Sequence, residues 1–356
     1  MGPKTLKLFT IAVALVALAG VVAIAGWTQL QQYLGRAGPA AEPVTVVLDR
    51  GAGTAAIADQ LESAGVIRQP WMFRLAVRVL DRDRDLKAGE YAFPARVTPR
   101  GVIGMLSKGE TVARRVTVAE GLTVREIYEI LEQAEGLSGD LPPPPPEGSL
   151  LPETYFYAFG DSRRDLVRRM QEAMQTTLDE LWSARAAGLP YGSPEEALVL
   201  ASIVDKETAV DGERAEVASV FVNRLEEGMR LQSDPTVIYG LTGGAERLDR
   251  ELTRKDWEHD SRYNTYRIDG LPPTPIANPG RASIEAVLNP AETDYLYFVA
   301  DGTGGHAFAR TLREHNQNVA VWRRIKNGVQ PRPIPPSPVK PDPASWSALA
   351  PAARGR

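Results

Sequence analysis

No cysteine occurs among the 356 residues. Disulfides, thiol nucleophiles and thiolate metal sites are excluded together, and either redox compartment stays open. Histidine is nearly as scarce. His259, His306 and His315 are the only three, and none forms a close helical pair, so a zinc site lacks ligands and no metal or other cofactor is expected. An excess of one charge is also missing: the net charge is −4 and no long basic stripe appears, which argues against nucleic acid as a partner. Ser202 and Ser233 have no recognisable base at triad spacing, although triads assemble in space rather than along the chain.

What the chain does have begins at its N-terminus. Residues 8–27 are uncharged and rich in Ala, Val, Ile and Leu, which matches the length needed to cross a bilayer as a helix. Lys4 and Lys7 precede the run and are expected to stay cytoplasmic, over residues 1–7, while Trp27 suits the far interface. A cleaved signal peptide is the competing reading, since Gly20 and residues 23–25 offer small side chains, but the run exceeds a usual signal core. An uncleaved anchor is favoured, with everything after Gln29 outside the cytoplasm.

Residues 36–43, rich in Ala, Gly and Pro, read as a linker. A compact domain is expected over 44–135. It opens with a β-branched run at 44–48, a turn at 51–53, and Thr54 capping a helix with Ile57, Leu61 and Ala64. The order recurs at 116–118, followed by Glu120-Gly121-Leu122-Thr123 and a helix with Ile127, Ile130 and Leu131. This strand-turn-helix duplication resembles the small glycan-binding LysM modules; a plain α+β spacer is the alternative. Five consecutive prolines at 142–146 cannot sit inside a helix or a central strand, so 136–146 reads as the linker between domains. The second domain is expected over 147–329, with helices near 163–186, 194–209 and 213–227, Gly228 as a C-cap, and a strand at 295–300. The proline- and alanine-rich residues 330–356 have little that could form a core and read as disordered.

One carboxylate stands where an apolar side chain belongs. Ser193 is a good N-cap, Pro194 fits the first helical position, and Glu196 completes a capping box. At roughly 100° per residue, Leu200, Ile203 and Val204 share a stripe, and Glu207 falls in its middle while Asp205 points away. A carboxyl among aliphatic neighbours resists ionisation, takes a raised pKa and holds its proton. Near neutral pH it is a general acid. Read from the helix alone, Glu207 could equally pair with a buried arginine or cap the next element.

Downstream stand Gln232-Ser233-Asp234-Pro235 with Tyr239, in a segment that reads as too irregular for plain secondary structure. Tyr263-Asn264-Thr265-Tyr266, Gly270-Leu271-Pro272-Pro273 and Asn278-Pro279-Gly280 follow. A sugar site wants amide and carboxylate partners for hydroxyls and flat faces for the ring, and all are present here.

These blocks, together with Glu147-Gly148-Ser149-Leu150-Leu151-Pro152-Glu153-Thr154-Tyr155, Ala201 to Thr208, Asn223-Arg224-Leu225, Tyr295-Leu296-Tyr297-Phe298-Val299 and Gly305-His306, resemble the bacterial endolytic murein transglycosylases of the MltG (YceG-like) family. The resemblance spans roughly residues 1–328. The family's catalytic glutamate is the second acid of an acid-Lys-Glu-Thr segment, which corresponds to Glu207; the family usually has Glu where Asp205 stands, and more often aromatics at Ser149 and Leu151.

The resemblance implies an α+β fold with an N-terminal transmembrane helix, a LysM-like domain and a larger mixed α+β catalytic domain. It implies a single-acid lyase that cleaves the bond between N-acetylmuramic acid and N-acetylglucosamine and leaves 1,6-anhydro ends, terminating glycan polymerisation. Gln232, Ser233, Asp234, Tyr239, Tyr263, Asn264, Tyr266 and Asn278 are then the expected substrate-binding residues. The implied partners are peptidoglycan strands, the cytoplasmic membrane and peptidoglycan synthases, with one pass through the inner membrane and a periplasmic catalytic domain. Two alternatives stay open: a muramidase-type hydrolase with Asp234 as the second carboxylate, and a non-catalytic peptidoglycan-binding scaffold in which Glu207 is structural.

Overall fold

The computed structural model describes residues 3–327, with side chains from Thr10 onward. The side chains of Lys4 and Lys7 and the tail at 330–356, both subjects of expectations above, lie outside the described residues. The fold is mixed α+β, with one apolar helix at the N-terminus long enough to cross a membrane.

The chain divides into two units, one holding residues up to Arg115 with Glu135–Ser138 and Phe156–Ser162, the other Val116–Ala134, Gly139–Tyr155 and the chain from Arg163 onward. The division therefore falls earlier than the proline run, and neither unit coincides with 44–135. The reason is local: the second strand-turn-helix copy makes its hydrogen bonds with the second unit, where Val124 N–H donates to Glu147 and Asn278 N–H to the Leu122 carbonyl.

The first unit contains α1 (Pro3–Gly35), β1 (Val44–Leu48), α2 (Thr54–Ser63), α3 (Pro70–Val79), β2 (Gly89–Phe93) and α4 (Pro99–Lys108). Apolar side chains of α1 stay exposed from Ile11 to Trp27, and then Leu30, Tyr33 and Leu34 enter the same core as Phe73, Tyr91 and Leu106. The helix thus joins a stretch long and apolar enough to cross a membrane to a core element in one piece, which a reading of 8–27 as an isolated span misses. β1 and β2 pair antiparallel with Val46 opposite Tyr91. Gly89, at φ 139°, ends that register beside Thr111, whose Cγ2 would stand 2.6 Å from an added Cβ, so no larger residue fits. Thr54 is the first residue of α2 rather than its cap; Gly53 takes the cap position, with no side-chain hydrogen bond.

β3 (Arg114–Thr117) and β4 (Thr154–Tyr157) form a second two-stranded sheet, and α5 (Val124–Gln133) lies between them in sequence. Thr123 and Glu126 close a capping box at its start. The second unit continues through α6 (Arg163–Ser183), α7 (Pro194–Glu207), α8 (Arg214–Glu226), α9 (Asp234–Thr242), α10 (Arg254–Trp257) and α11 (Arg281–Leu288). It ends with the antiparallel hairpin β5 (Tyr297–Ala300) and β6 (His306–Ala309), then α12 (Leu312–Lys326).

α7 is the axis of this unit, surrounded by α6, α8, α9 and α11. Ser193 Oγ accepts from Glu196 N–H at 3.2 Å, as expected, but the Glu196 carboxylate takes the Gly192 N–H at 2.7 Å instead of closing a strict capping box. Every residue from 197 to 204 is buried. The helix is therefore apolar all round in its middle, and each large aliphatic side chain there contributes about 1.5–3 kcal/mol of burial. That packing leaves α7 no freedom to shift and fixes where its last residue, Glu207, emerges.

α9 corrects an expectation. The segment read as irregular is helical from Asp234, with Ser233 at the cap, Pro235 in the first turn and Gly243 at φ 62° after the end. The serine cap and the first-turn proline are the signals that also mark α7.

Candidate active site

Glu207 opens into a cavity of about 380 Å³ whose walls come from α8, α9, β5, α12 and the loops between them. Phe221, Leu231, Phe298 and Leu312 supply apolar wall, while Arg224, Gln232, Asp234, Tyr266 and Tyr297 supply polar groups. Ser233, itself buried, donates from Oγ to Glu207 Oε1 at 2.5 Å. Burial raises the Glu207 pKa from 4.5 to about 7; the Ser233 hydroxyl opposes this, the Asp234 carboxylate adds to the rise, and His306 and Arg224 oppose it. At pH 7 about half of such a group is protonated, against roughly one in 300 for a glutamate of pKa 4.5. The apolar neighbours thus keep a proton available where a solvated side chain would have lost it.

Ser233 is held by a web of hydroxyls. Its N–H donates to Thr265 Oγ1 at 2.9 Å, Thr236 Oγ1 donates to the Ser233 carbonyl at 2.6 Å, and the Thr236 and Thr265 hydroxyls share a bond of 2.8 Å. Gln232, just before it, sits at φ 50° with its N–H on the Thr265 carbonyl. A left-handed backbone at a residue other than glycine costs on the order of 1 kcal/mol or more and persists only where the surroundings enforce it. Here that strain turns the chain so that Ser233 faces Glu207.

Asp234 Oδ1 accepts from Tyr266 Oη at 2.8 Å and from Trp257 Nε1 at 2.9 Å. Burial and the Asp234 hydrogen bond both push the Tyr266 pKa upward, so its phenol remains a donor. The structure therefore brings Glu207, Gln232, Ser233, Asp234 and Tyr266 together, five of the nine residues named from sequence.

The other four lie elsewhere. Tyr239 and Tyr263 pack edge to face at 4.8 Å, and the Tyr263 hydroxyl bonds to Thr274. Tyr239 lines a different, larger cavity of about 1030 Å³ with Thr123, Lys206 and Ile238. Asn264 is fully buried: Nδ2 donates to the Trp257 and His259 carbonyls and Oδ1 accepts from Tyr266 N–H. Asn278 is equally buried, donating from Nδ2 to the Leu122 carbonyl and Glu147 and accepting on Oδ1 from Leu150 N–H. With both amide N–H donors of each spent inside the protein and neither side chain exposed, the pair shapes loops in this structure.

Asp205 faces away from Glu207, as the helix geometry requires, but not into solvent. It accepts a short hydrogen bond from Ser283, and burial raises its pKa to about 6.

Two residues at the cavity, Arg224 and His315, escaped the sequence reading. Arg224 is buried, with Nε donating to the Leu296 carbonyl, Nη1 to the Leu231 carbonyl, and its guanidinium 5.3 Å from the Tyr297 ring centre. Its signal was available: Arg224 stands three residues after Phe221 and seven after Val217, a charge on a buried stripe like Glu207. His306 donates its backbone N–H to Glu213 and shares a 3.0 Å bond between Nδ1 and Glu213 Oε2, while its ring meets Phe298 edge-on at 5.3 Å. It supports the cavity wall from behind. His315 lines the cavity, stacked on Tyr297 at 5.3 Å, and burial lowers its pKa so that it is neutral near pH 7. Nothing in the local sequence pattern pairs it with Glu207.

The sequence profile of the YceG-like family matches residues 46–321. An endolytic murein transglycosylase of Bacillus subtilis (strain 168) is 32% identical over 316 residues, covering 80% of this chain and 86% of that one. One from Streptococcus pneumoniae serotype 2 is 29% identical over 323 residues, or 78% of this chain, which spans only 58% of that longer relative. A crystal structure of a yceG-like protein from Listeria monocytogenes is 31% identical, covers 78% of this chain and 99% of its own, and superposes with a TM-score of 0.48.

Proposed function

The chain belongs to the YceG-like family, and from that membership we propose that it is an endolytic murein transglycosylase in which Glu207 alone performs the proton transfers. The observation that carries this reading is a carboxyl of pKa about 7 at the head of a cavity, hydrogen-bonded to one buried hydroxyl.

In the first step the Glu207 acid protonates the glycosidic oxygen between N-acetylmuramic acid and N-acetylglucosamine, and the C1–O bond breaks as positive charge builds on the muramic ring. In the second step Glu207, now a carboxylate, removes the proton from the C6 hydroxyl of the same sugar. That oxygen closes onto C1, giving a 1,6-anhydro end. Glu207 regains its proton and no water is consumed, so the single carboxyl serves as acid and then base. Asp234, aimed by Tyr266 and Trp257, supplies negative potential against the developing charge, and Arg224 with Tyr297 shapes the cavity wall. Ser233 holds the Glu207 side chain in one rotamer through both steps.

α1 anchors the enzyme in the membrane, with the two lysines cytoplasmic and both folded units on the periplasmic side. Residues 44–135 are the LysM-like portion, and their role is to engage or space the glycan. Synthases that extrude new strands are the partners this arrangement serves, because cleavage near the membrane ends polymerisation. Mass spectrometry of digested, uncrosslinked strands tests the reading: ends lighter by one water than ordinary reducing ends support it, while reducing ends assign the chain to the hydrolases.

A further inference from the structure

α3 of the first unit has two apolar faces. Met72, Phe73, Ala76 and Val77 are buried in the core. On the other side Trp71, Leu75 and Val79 form a stripe at four-residue spacing, 57%, 44% and 46% exposed. Arg74 and Arg78 interleave with them and Arg68 precedes the helix, all exposed. None of the three enters a salt bridge among the described residues. An exposed apolar stripe led by tryptophan and flanked by unpaired arginines is the composition of a helix lying in a membrane interface.

The position of α3 in the fold agrees. Tyr33 of α1 donates from its hydroxyl to the carbonyl of Gln69, the residue just before α3, and α1 and α3 share one core. Trp27, the tryptophan of the apolar stretch in α1, is six residues before Tyr33, or about 9 Å of helix rise. A headgroup layer is of similar depth, roughly 5–8 Å on each side of the hydrocarbon.

We propose that the Trp71–Leu75–Val79 stripe rests on the membrane surface from which α1 emerges, its apolar side chains at the acyl boundary and Arg68, Arg74 and Arg78 on anionic lipid phosphates. This rests on the reading of α1 as a membrane span. The span fixes a neighbour for the stripe whose two layers match its two side-chain types, apolar and cationic.

The absence of cysteine makes the test clean. In the full chain, reconstituted into vesicles of phosphatidylethanolamine with anionic phosphatidylglycerol, single spin labels are placed through Leu75→Cys, Glu62→Cys on the exposed side of α2, and Val16→Cys within α1. At Leu75→Cys, collision with oxygen should exceed collision with a water-soluble nickel chelate several-fold, as at Val16→Cys, and the order should reverse at Glu62→Cys. Adding Arg74→Glu and Arg78→Glu should return the Leu75→Cys label to water. A water-exposed label at Leu75→Cys with a lipid-buried one at Val16→Cys overturns the proposal and leaves the span intact. Water exposure at Val16→Cys overturns both. Shielding of Leu75→Cys from both reagents means that another copy of the chain covers the stripe, and also overturns it.

Discussion

Ser233 Oγ lies 2.5 Å from Glu207 Oε1 and donates to it. This contact leaves Oε2 as the oxygen that carries the transferable proton, and it is the one direct hydrogen bond restraining how far burial raises the acid. The acidity and aim of Glu207 therefore depend on a residue contributed by the cap of α9.

Removing that bond by Ser233→Ala should raise the Glu207 pKa further. A hydrogen bond to a charged group is worth about 1.5–3 kcal/mol, and 1.36 kcal/mol corresponds to one pKa unit. The alkaline limb of the pH–rate profile is expected to move up by about one to two units, with kcat roughly tenfold lower because the side chain is no longer held. A limb that stays in place contradicts the role given to Ser233.

Asp234→Asn should act with the opposite sign. The Asp234 carboxylate raises the Glu207 pKa, so neutralising it lets Glu207 lose its proton at lower pH. We predict that the alkaline limb moves down and that kcat falls by roughly 10–100-fold, within the range for a lost electrostatic contribution. Tyr266→Phe, which removes one of two bonds to Oδ1, should produce a smaller fall in the same assay.

Stability should depend on pH through Glu207. Its pKa rises from 4.5 to about 7 on folding, so the folded state holds the proton more tightly than the unfolded chain. The stabilisation this provides is complete below pH 4.5 and is lost as pH rises through 7, a change on the order of 3 kcal/mol. Glu207→Gln has no such titration. Thermal melts of the two proteins should therefore converge near pH 4 and separate at pH 8, with the glutamine variant the more stable. Parallel curves at both pH values would show that Glu207 ionises without cost.

Asn278→Ala should destabilise without disabling chemistry. The buried Leu150 N–H loses its partner, and the half-buried Leu122 carbonyl and Glu147 carboxylate each lose one of theirs, a cost of roughly 3 kcal/mol. The melting temperature should fall while kcat per folded molecule stays within about twofold. A large kcat loss at unchanged stability would return Asn278 to the substrate.

The start of α7 was legible because Ser193 and Pro194 act within one turn, and the placement of Glu207 followed from helical period alone. α9 carried the same serine cap and first-turn proline, with a terminal glycine besides, yet the density of polar residues at 232–236 masked them. The sequence alone does not separate the two settings open to Asn264 and Asn278: a buried amide and an amide in a binding site share one side chain, and only their partners distinguish them. Arg224, His306 and His315 reach the cavity region from α8, β6 and α12, a convergence set by tertiary packing rather than by local pattern. Similarly, the burial of Leu30, Tyr33 and Leu34 could not be read from a run whose composition resembles the span before it.

The central claim, that one carboxyl does the work of acid and base, is tested most directly by digesting uncrosslinked glycan strands in water enriched in oxygen-18, with the wild type beside Glu207→Gln. The account predicts unlabelled 1,6-anhydro ends from the wild type and loss of cleavage by a factor of about 100 or more in the variant. Oxygen-18 at new reducing ends, or undiminished cleavage by Glu207→Gln, would contradict it.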